Sequence, residues 1–187
     1  MKIKKSQVYN ILTLVVIALI IIPQTRKPIQ VSVHKIFALF SPSIESEGNR
    51  AELSTYNWAL LDKEGKAHNL TTAKDKVVFV NLWATWCPPC VAELPSMQKL
   101  YNDYGDKVTF LFVSNEKMER VTAFLDKKEM SIPVFQPTSA IPEELYSKSI
   151  PATYIIGKDG QIHVDKKGAA NWNSSSVRSL LDKLINE

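Results

Sequence analysis

The order of elements in this 187-residue chain predicts an α/β fold, with helices layered on a central mixed β-sheet. Three observations predict it. Val77–Leu82 and Val108–Val113 are dense runs of β-branched and aromatic residues, which read as buried strands. The segment between them carries apolar residues at helical spacing. A second helical segment follows, then two strand-like runs joined by a tight turn. Composition agrees, because 45% apolar and 22% charged residues are ordinary for a folded domain and exclude wholesale disorder. The length suits one domain with an appendage and is too short for two full-sized enzymatic domains.

Each element has its own signal. Trp58–Leu61 is a short strand ending in the turn Asp62-Lys63-Glu64-Gly65. A helix starts near Cys87 and continues past Tyr101, with Val91, Leu94, Met97 and Leu100 stepping by three. Lys117–Lys128 is helical, with Met118, Val121, Phe124 and Leu125 on one face. Ala152–Ile156 and Gln161–Asp165 form a hairpin, since the turn Gly157-Lys158-Asp159-Gly160 supplies residues that tolerate positive φ. The closing helix begins near Ser174, with Val177, Leu180, Leu181, Leu184 and Ile185 on one stripe. The first strand–helix–strand unit crosses right-handed. Residues 129–149 carry no recognisable motif.

Charge divides the chain. Residues 1–35 hold Lys2, Lys4, Lys5, Arg26, Lys27 and Lys35 and no acid, which leaves 17 basic against 19 acidic residues in the remainder. The pI near 9.0 therefore describes the N-terminal segment, and no nucleic-acid partner is expected for the slightly acidic body. After the lysines, Val8–Ile22 is a 15-residue apolar run. As a helix it spans roughly 22 Å, against a hydrocarbon core of about 30 Å. No small-residue cleavage pattern and no Cys follows it. The expectation is an uncleaved signal-anchor over residues 1–24, a proline-broken linker over 25–55, and the folded domain over 56–187. The lysine flank favours a cytoplasmic N-terminus, which makes this a single-pass protein of the cell membrane with its body on the extracytoplasmic side.

The chain has two cysteines, in the sequence Trp86-Cys87-Pro88-Pro89-Cys90. The pair follows a buried strand and opens a helix. Unpaired N–H groups at a helix start favour negative charge, so a thiolate there has a lowered pKa and is nucleophilic near neutral pH. Cys87 falls at the exposed start, where it attacks a substrate disulfide, and Cys90 falls one turn in, where it resolves the mixed disulfide. Pro88 and Pro89 suit the first turn, where a missing N–H costs nothing. Other uses of the pair fit less well. A c-type haem site needs His after the second Cys, and Val91 stands there. Zinc needs two further ligands, and His34, His68 and His163 are scattered. A purely structural disulfide over so short a loop stabilises little. No cofactor or metal is expected.

The run NLWATWCPPCVAELP (81–95) resembles the active-site segment of the TlpA/ResA-like membrane-anchored thiol-disulfide oxidoreductases, within the thioredoxin superfamily. The resemblance covers about residues 52–187 and implies a thioredoxin-like fold. It also implies a cis-proline at Pro151, in Ser149-Ile150-Pro151-Ala152-Thr153, facing the cysteines. The main chain of Ile150 then pairs with an extended substrate, and Trp86, Pro88 and Pro89 join Ile150 and Pro151 as substrate-binding residues. Glu93 matches a glutamate of the ResA-like branch and takes an acid–base role beside Cys87 and Cys90; a plain helix-start charge is the competing role. Thioredoxin has a buried aspartate where this chain has Asn81, an amide that does not titrate. Pro95 should kink the helix, and Asn171-Trp172 reads as packing or capping.

The resemblance implies an enzyme that mainly reduces disulfides of envelope proteins, apocytochrome c among the candidates, with electrons from a membrane thiol carrier. Three other readings stay open: a disulfide oxidase or isomerase of the same fold, a peroxidase of the related peroxiredoxin group, and a non-enzymatic adaptor or metal-binding module. The peroxidase reading lacks that group's Thr-x-x-Cys pattern, because Ala84 stands three residues before Cys87.

Overall fold

Residues 5–22, 29–34 and 38–187 are described in a computed structural model of the chain. A first helix, α1 (Lys5–Ile21), contains most of the apolar N-terminal run. The sheet-forming part then runs β1 (Ala59–Asp62), β2 (Ala67–Asn69), β3 (Val78–Leu82), α2 (Pro88–Tyr104), β4 (Thr109–Val113), α3 (Met118–Lys127), β5 (Val134–Pro137), β6 (Ala152–Ile156), β7 (Ile162–Lys167) and α4 (Ser175–Asn186). The seven strands lie in the order β2-β1-β5-β4-β3-β6-β7. β4 pairs in parallel with both β3 and β5, while the β1–β2, β1–β5, β3–β6 and β6–β7 pairs are antiparallel, so the sheet is mixed.

Burial follows from the pleat. β3 is flanked on both sides and covered on both faces, so Val78, Phe79, Val80 and Asn81 are all buried. Alternation sends Phe79 and Asn81 to one face and Val78 and Val80 to the other. The Phe79 face packs under Leu94, Met97 and Leu100 of α2, Val121 and Leu125 of α3, and Val177 and Leu181 of α4. The opposite face is closed by Trp58, Leu53, Leu70, Leu145 and Tyr154. Asn81 thereby ends up under α2, and its register partner on β6 is Thr153.

Two strands escape the sequence reading. β2 has only three residues. β5 is bounded by Pro133 and Pro137, which read as breakers, yet it sits between β1 and β4. The strand after the Gly157–Gly160 turn starts at Ile162 and runs to Lys167. Gly160 has φ +83°, so this turn needs glycine there.

Of the expected anchor and linker, residues 1–4, 23–28 and 35–37 lie outside the described residues. Among the described residues no helix is long and apolar enough to cross a membrane. Part of the 25–55 stretch is tied to β7, to the turn before it and to the loop after it. Asn171 N–H donates to Phe40 O (2.8 Å), Glu45 N–H to His163 O (2.8 Å), Ile162 N–H to Ala51 O (2.8 Å) and Leu53 N–H to Gly160 O (3.0 Å).

Phe79 is the keystone of the helix-covered face. Its ring lies 5.1 Å from Phe110, 6.0 Å from Phe112 and 5.3 Å, edge-on, from Trp172. Phe79→Ala is expected to cost about 3–5 kcal/mol. Chemical denaturation checks it: the midpoint should fall with an unchanged slope.

Candidate active site

The junction of β3 and α2 builds the site. Cys87 is the N-cap of α2, with extended dihedrals (φ −90°, ψ 107°). Pro88 and Pro89 occupy the first two helical positions and bring no N–H. The first free donor is therefore the Cys90 N–H, which lies 3.3 Å from Cys87 Sγ. The sulfur thus takes the place that a serine or aspartate oxygen takes in an ordinary cap. Cys87 and Cys90 are joined in a disulfide, with Cα atoms 5.3 Å apart.

Cys87 is not the exposed residue that its position at the helix start suggests; it is 3% exposed, and Cys90 is fully buried. The turn before β6 covers it. The Ile150–Pro151 peptide is cis, and the Ile150 carbonyl oxygen lies 3.8 Å from Cys87 Sγ. Trp86 beside it is 54% exposed. Trp86 and Ile150 also line a groove of about 380 Å³, together with Trp58, Trp83, Ile141 and Tyr146. Pro88 and Pro89 are half-buried in the first turn of α2 and do not line this groove. Residues 129–149, silent in sequence, thus contribute Pro137, Ser139, Ile141, Tyr146 and Ser147 to the wall.

No local sequence pattern marks Glu116. Its carboxylate accepts from Thr85 N–H (2.6 Å) and Thr85 Oγ1–H (2.9 Å), and Arg120 Nε pairs with it at 3.0 Å. It clamps the loop that carries Cys87. The available signal was its place just past β4, at the carboxyl end of a parallel strand, where functional loops gather.

Glu93 sits one turn beyond Cys90 and is fully buried. Three donors reach its carboxylate: Trp172 Nε1–H (2.8 Å) and Ala170 N–H (3.1 Å) at Oε2, and Asn81 Nδ2–H (3.2 Å) at Oε1. Asn81 Nδ2 also donates to Thr153 Oγ1 (2.8 Å). Burial is the largest influence and pushes Glu93 up to about 8, against the opposing pull of the Trp172, Ala170 and Asn81 hydrogen bonds and of Lys166. The structure thus buries a carboxyl group with a raised pKa one helical turn beyond Cys90, a member of the Cys87–Cys90 disulfide.

Two histidines lie apart from this site. His68 pairs with Asp62 at 2.7 Å on the β1–β2 hairpin. His163 is buried on β7, where desolvation, then the Arg50 charge, pushes its pKa down. Among the described residues no group of three or more His, Cys, Asp or Glu is placed to hold a metal ion.

The profile of the AhpC/TSA family matches residues 51–164. The thioredoxin-like protein YneN of Bacillus subtilis is 37% identical over 110 residues, which are 57% of this chain and 65% of that protein. The thiol-disulfide oxidoreductase ResA of Halalkalibacterium halodurans is 34% identical over 116 residues, 60% of this chain and 66% of that protein. The match thus spans slightly under two thirds of either relative. Among solved structures, a DsbF homologue from Corynebacterium diphtheriae superposes with TM-score 0.59 at 21% identity, over 78% of this chain and 92% of that one. StoA from Bacillus subtilis superposes with TM-score 0.52 at 22% identity, over 71% of this chain and all of the other. At such identities the likeness is one of fold.

The raised pKa of Glu93 has a consequence for stability. Its folded value lies above its unfolded value of 4.5, so the folded state binds the extra proton between about 4.5 and about 8. The stability this contributes is complete below the unfolded pKa and is lost as pH rises through the folded one, by on the order of 5 kcal/mol in total. Urea unfolding at a series of pH values should show stability falling from pH 5 to pH 8. Glu93→Gln should flatten that slope.

Proposed function

We propose that this chain, which belongs to the AhpC/TSA family and has a thioredoxin-like α/β fold, is a thiol-disulfide oxidoreductase of the ResA type, acting mainly as a reductase of envelope-protein disulfides. The observation that carries the reading is the Cys87–Cys90 disulfide across the start of α2, with Cys90 N–H directed at Cys87 Sγ. The names of the relatives support it.

The chemistry follows from that geometry. In the reduced form, the Cys87 thiolate attacks one sulfur of a substrate disulfide. A Cys87–substrate disulfide forms, and the other substrate sulfur leaves as a thiolate that takes up a proton. Cys90 loses its proton and attacks Cys87 Sγ. The second substrate thiol is released and the Cys87–Cys90 disulfide forms, so two electrons have passed to the substrate. A dithiol donor, for which a membrane thiol carrier is the fitting class, then returns two electrons. Ile150 lies against Cys87, the attacking sulfur, and with Trp86 lines the adjoining groove, so the two supply main-chain and aromatic contacts to an extended substrate. Glu93, titrating near neutral pH, is suited to hold the proton that Cys90 gives up.

The location is part of the proposal. Lysine-flanked α1 holds the chain at the cell membrane, with the cysteines on the extracytoplasmic side and envelope proteins, apocytochrome c among them, as substrates. The peroxidase reading finds less support, because Ala84 stands where the Thr-x-x-Cys pattern needs threonine.

Two measurements test the function. Cys90→Ser should accumulate mixed disulfides through Cys87 in the native envelope, and Cys87→Ser should accumulate none; absence of adducts from Cys90→Ser would favour the adaptor or metal-binding class. The reduction potential should lie nearer the value of about −270 mV typical of thioredoxin than that of about −120 mV for DsbA. A value at the oxidising end would replace reductase with oxidase.

A further inference from the structure

We propose that Trp172 is a positioning residue that, with the main chain of Ala170, decides which oxygen of Glu93 exchanges a proton with the cysteine pair. The proton-exchange part rests on the oxidoreductase reading above, and the assignment of the oxygen rests on geometry alone.

The two carboxylate oxygens are not equivalent. Oε2 accepts from Trp172 Nε1–H at 2.8 Å and from Ala170 N–H at 3.1 Å, which occupies both of its lone pairs. Oε1 accepts one longer bond, 3.2 Å, from Asn81 Nδ2–H. A proton on Oε2 would displace an N–H donor in a fully buried place and leave it unpaired. A proton on Oε1 keeps both bonds at Oε2. Oε1 is therefore the oxygen that gains and loses the proton, and Oε2 remains the carbonyl oxygen of the acid.

Trp172 is held for this task at both ends. Its main-chain N–H donates to Ser96 Oγ (3.2 Å), and Ser96 Oγ–H donates to Glu93 O (2.8 Å), so main chain and indole both grip α2 around Glu93. Its ring is fully buried, edge-on against Phe79. The groups facing Glu93 from the other elements are Asn81 on β3, bonded in turn to Thr153 on β6, and the charge of Lys166 on β7. Cys90 precedes Glu93 by three residues, so the two share one face of α2. When Cys90 attacks, its S–H bond breaks and an O–H bond forms at Oε1; the reverse transfer accompanies reduction of the disulfide.

The experiment reads the carboxyl group directly. Infrared difference spectra of the full chain, taken across a pH series, give the C=O stretch of protonated Glu93, identified by its loss in Glu93→Gln. In Trp172→Phe, one donor to the carbonyl oxygen is gone. The stretch should rise in frequency, and its titration should move up by about one to two pH units. The pH profile of mixed-disulfide resolution by Cys90 should move with it. Replacing Trp172 with benzothienylalanine, which keeps the shape and removes the N–H, should give the same shifts if the phenylalanine variant packs poorly. An unchanged stretch and titration in both variants would overturn the assignment of the oxygen. A shifted stretch with an unmoved resolution profile would overturn the exchange with the cysteines. A chain that reduces no disulfide at all would overturn the oxidoreductase reading, while the stretch would still decide the oxygen.

Discussion

A single N–H organises this molecule's chemistry. The Cys90 amide points at Cys87 Sγ because two prolines before it have none to offer and because Cys87 occupies the cap of α2. A sulfur in that place is where a helix start holds negative charge best. Everything nearby keeps the cap in register. β3 is buried on both faces and fixes where the chain leaves the sheet. Glu116 grips Thr85 by its N–H and its hydroxyl, and the Ile150–Pro151 turn covers the sulfur from the β6 side.

Beneath the cap the fold buries a carboxyl group. Leaving Glu93 in an apolar interior is costly in its charged form, and three hydrogen bonds offset only part of that cost. The result is a carboxyl group whose pKa is pushed up to about 8, which suits it to the proposed exchange of protons with the thiols. Asn81 completes this arrangement. Strand alternation turns it toward α2, and as an amide it donates to Glu93 and does not compete with it for the proton.

Much of the fold was legible because it repeats with a local period. The strands around Phe79 and Phe112 are continuous apolar runs, and the helices ending in Leu100, Leu125 and Leu184 carry plain stripes. β2 and β5 were not legible, since three residues carry no period and flanking prolines mask a strand that only its neighbours stabilise. At the site, the spacing of two cysteines was enough to put both sulfurs at one helix start. The shielding of Cys87 was not, because it comes from Ile150, 63 positions away. Glu116, and the bond from Trp172 (legible only as packing or capping) to Glu93, are hidden for the same reason. Each acts on a residue more than 30 positions distant, through hydrogen bonds that no local pattern records.

The proposed chemistry requires the start of α2 to acidify the Cys87 thiol. Alkylation of the reduced chain across a pH series, with the modified residue identified by mass, measures this directly. Cys87 should ionise well below the value of about 8.5 found for free cysteine and should react ahead of Cys90. Ionisation at or above that value, or preferential reaction of Cys90, would contradict the account.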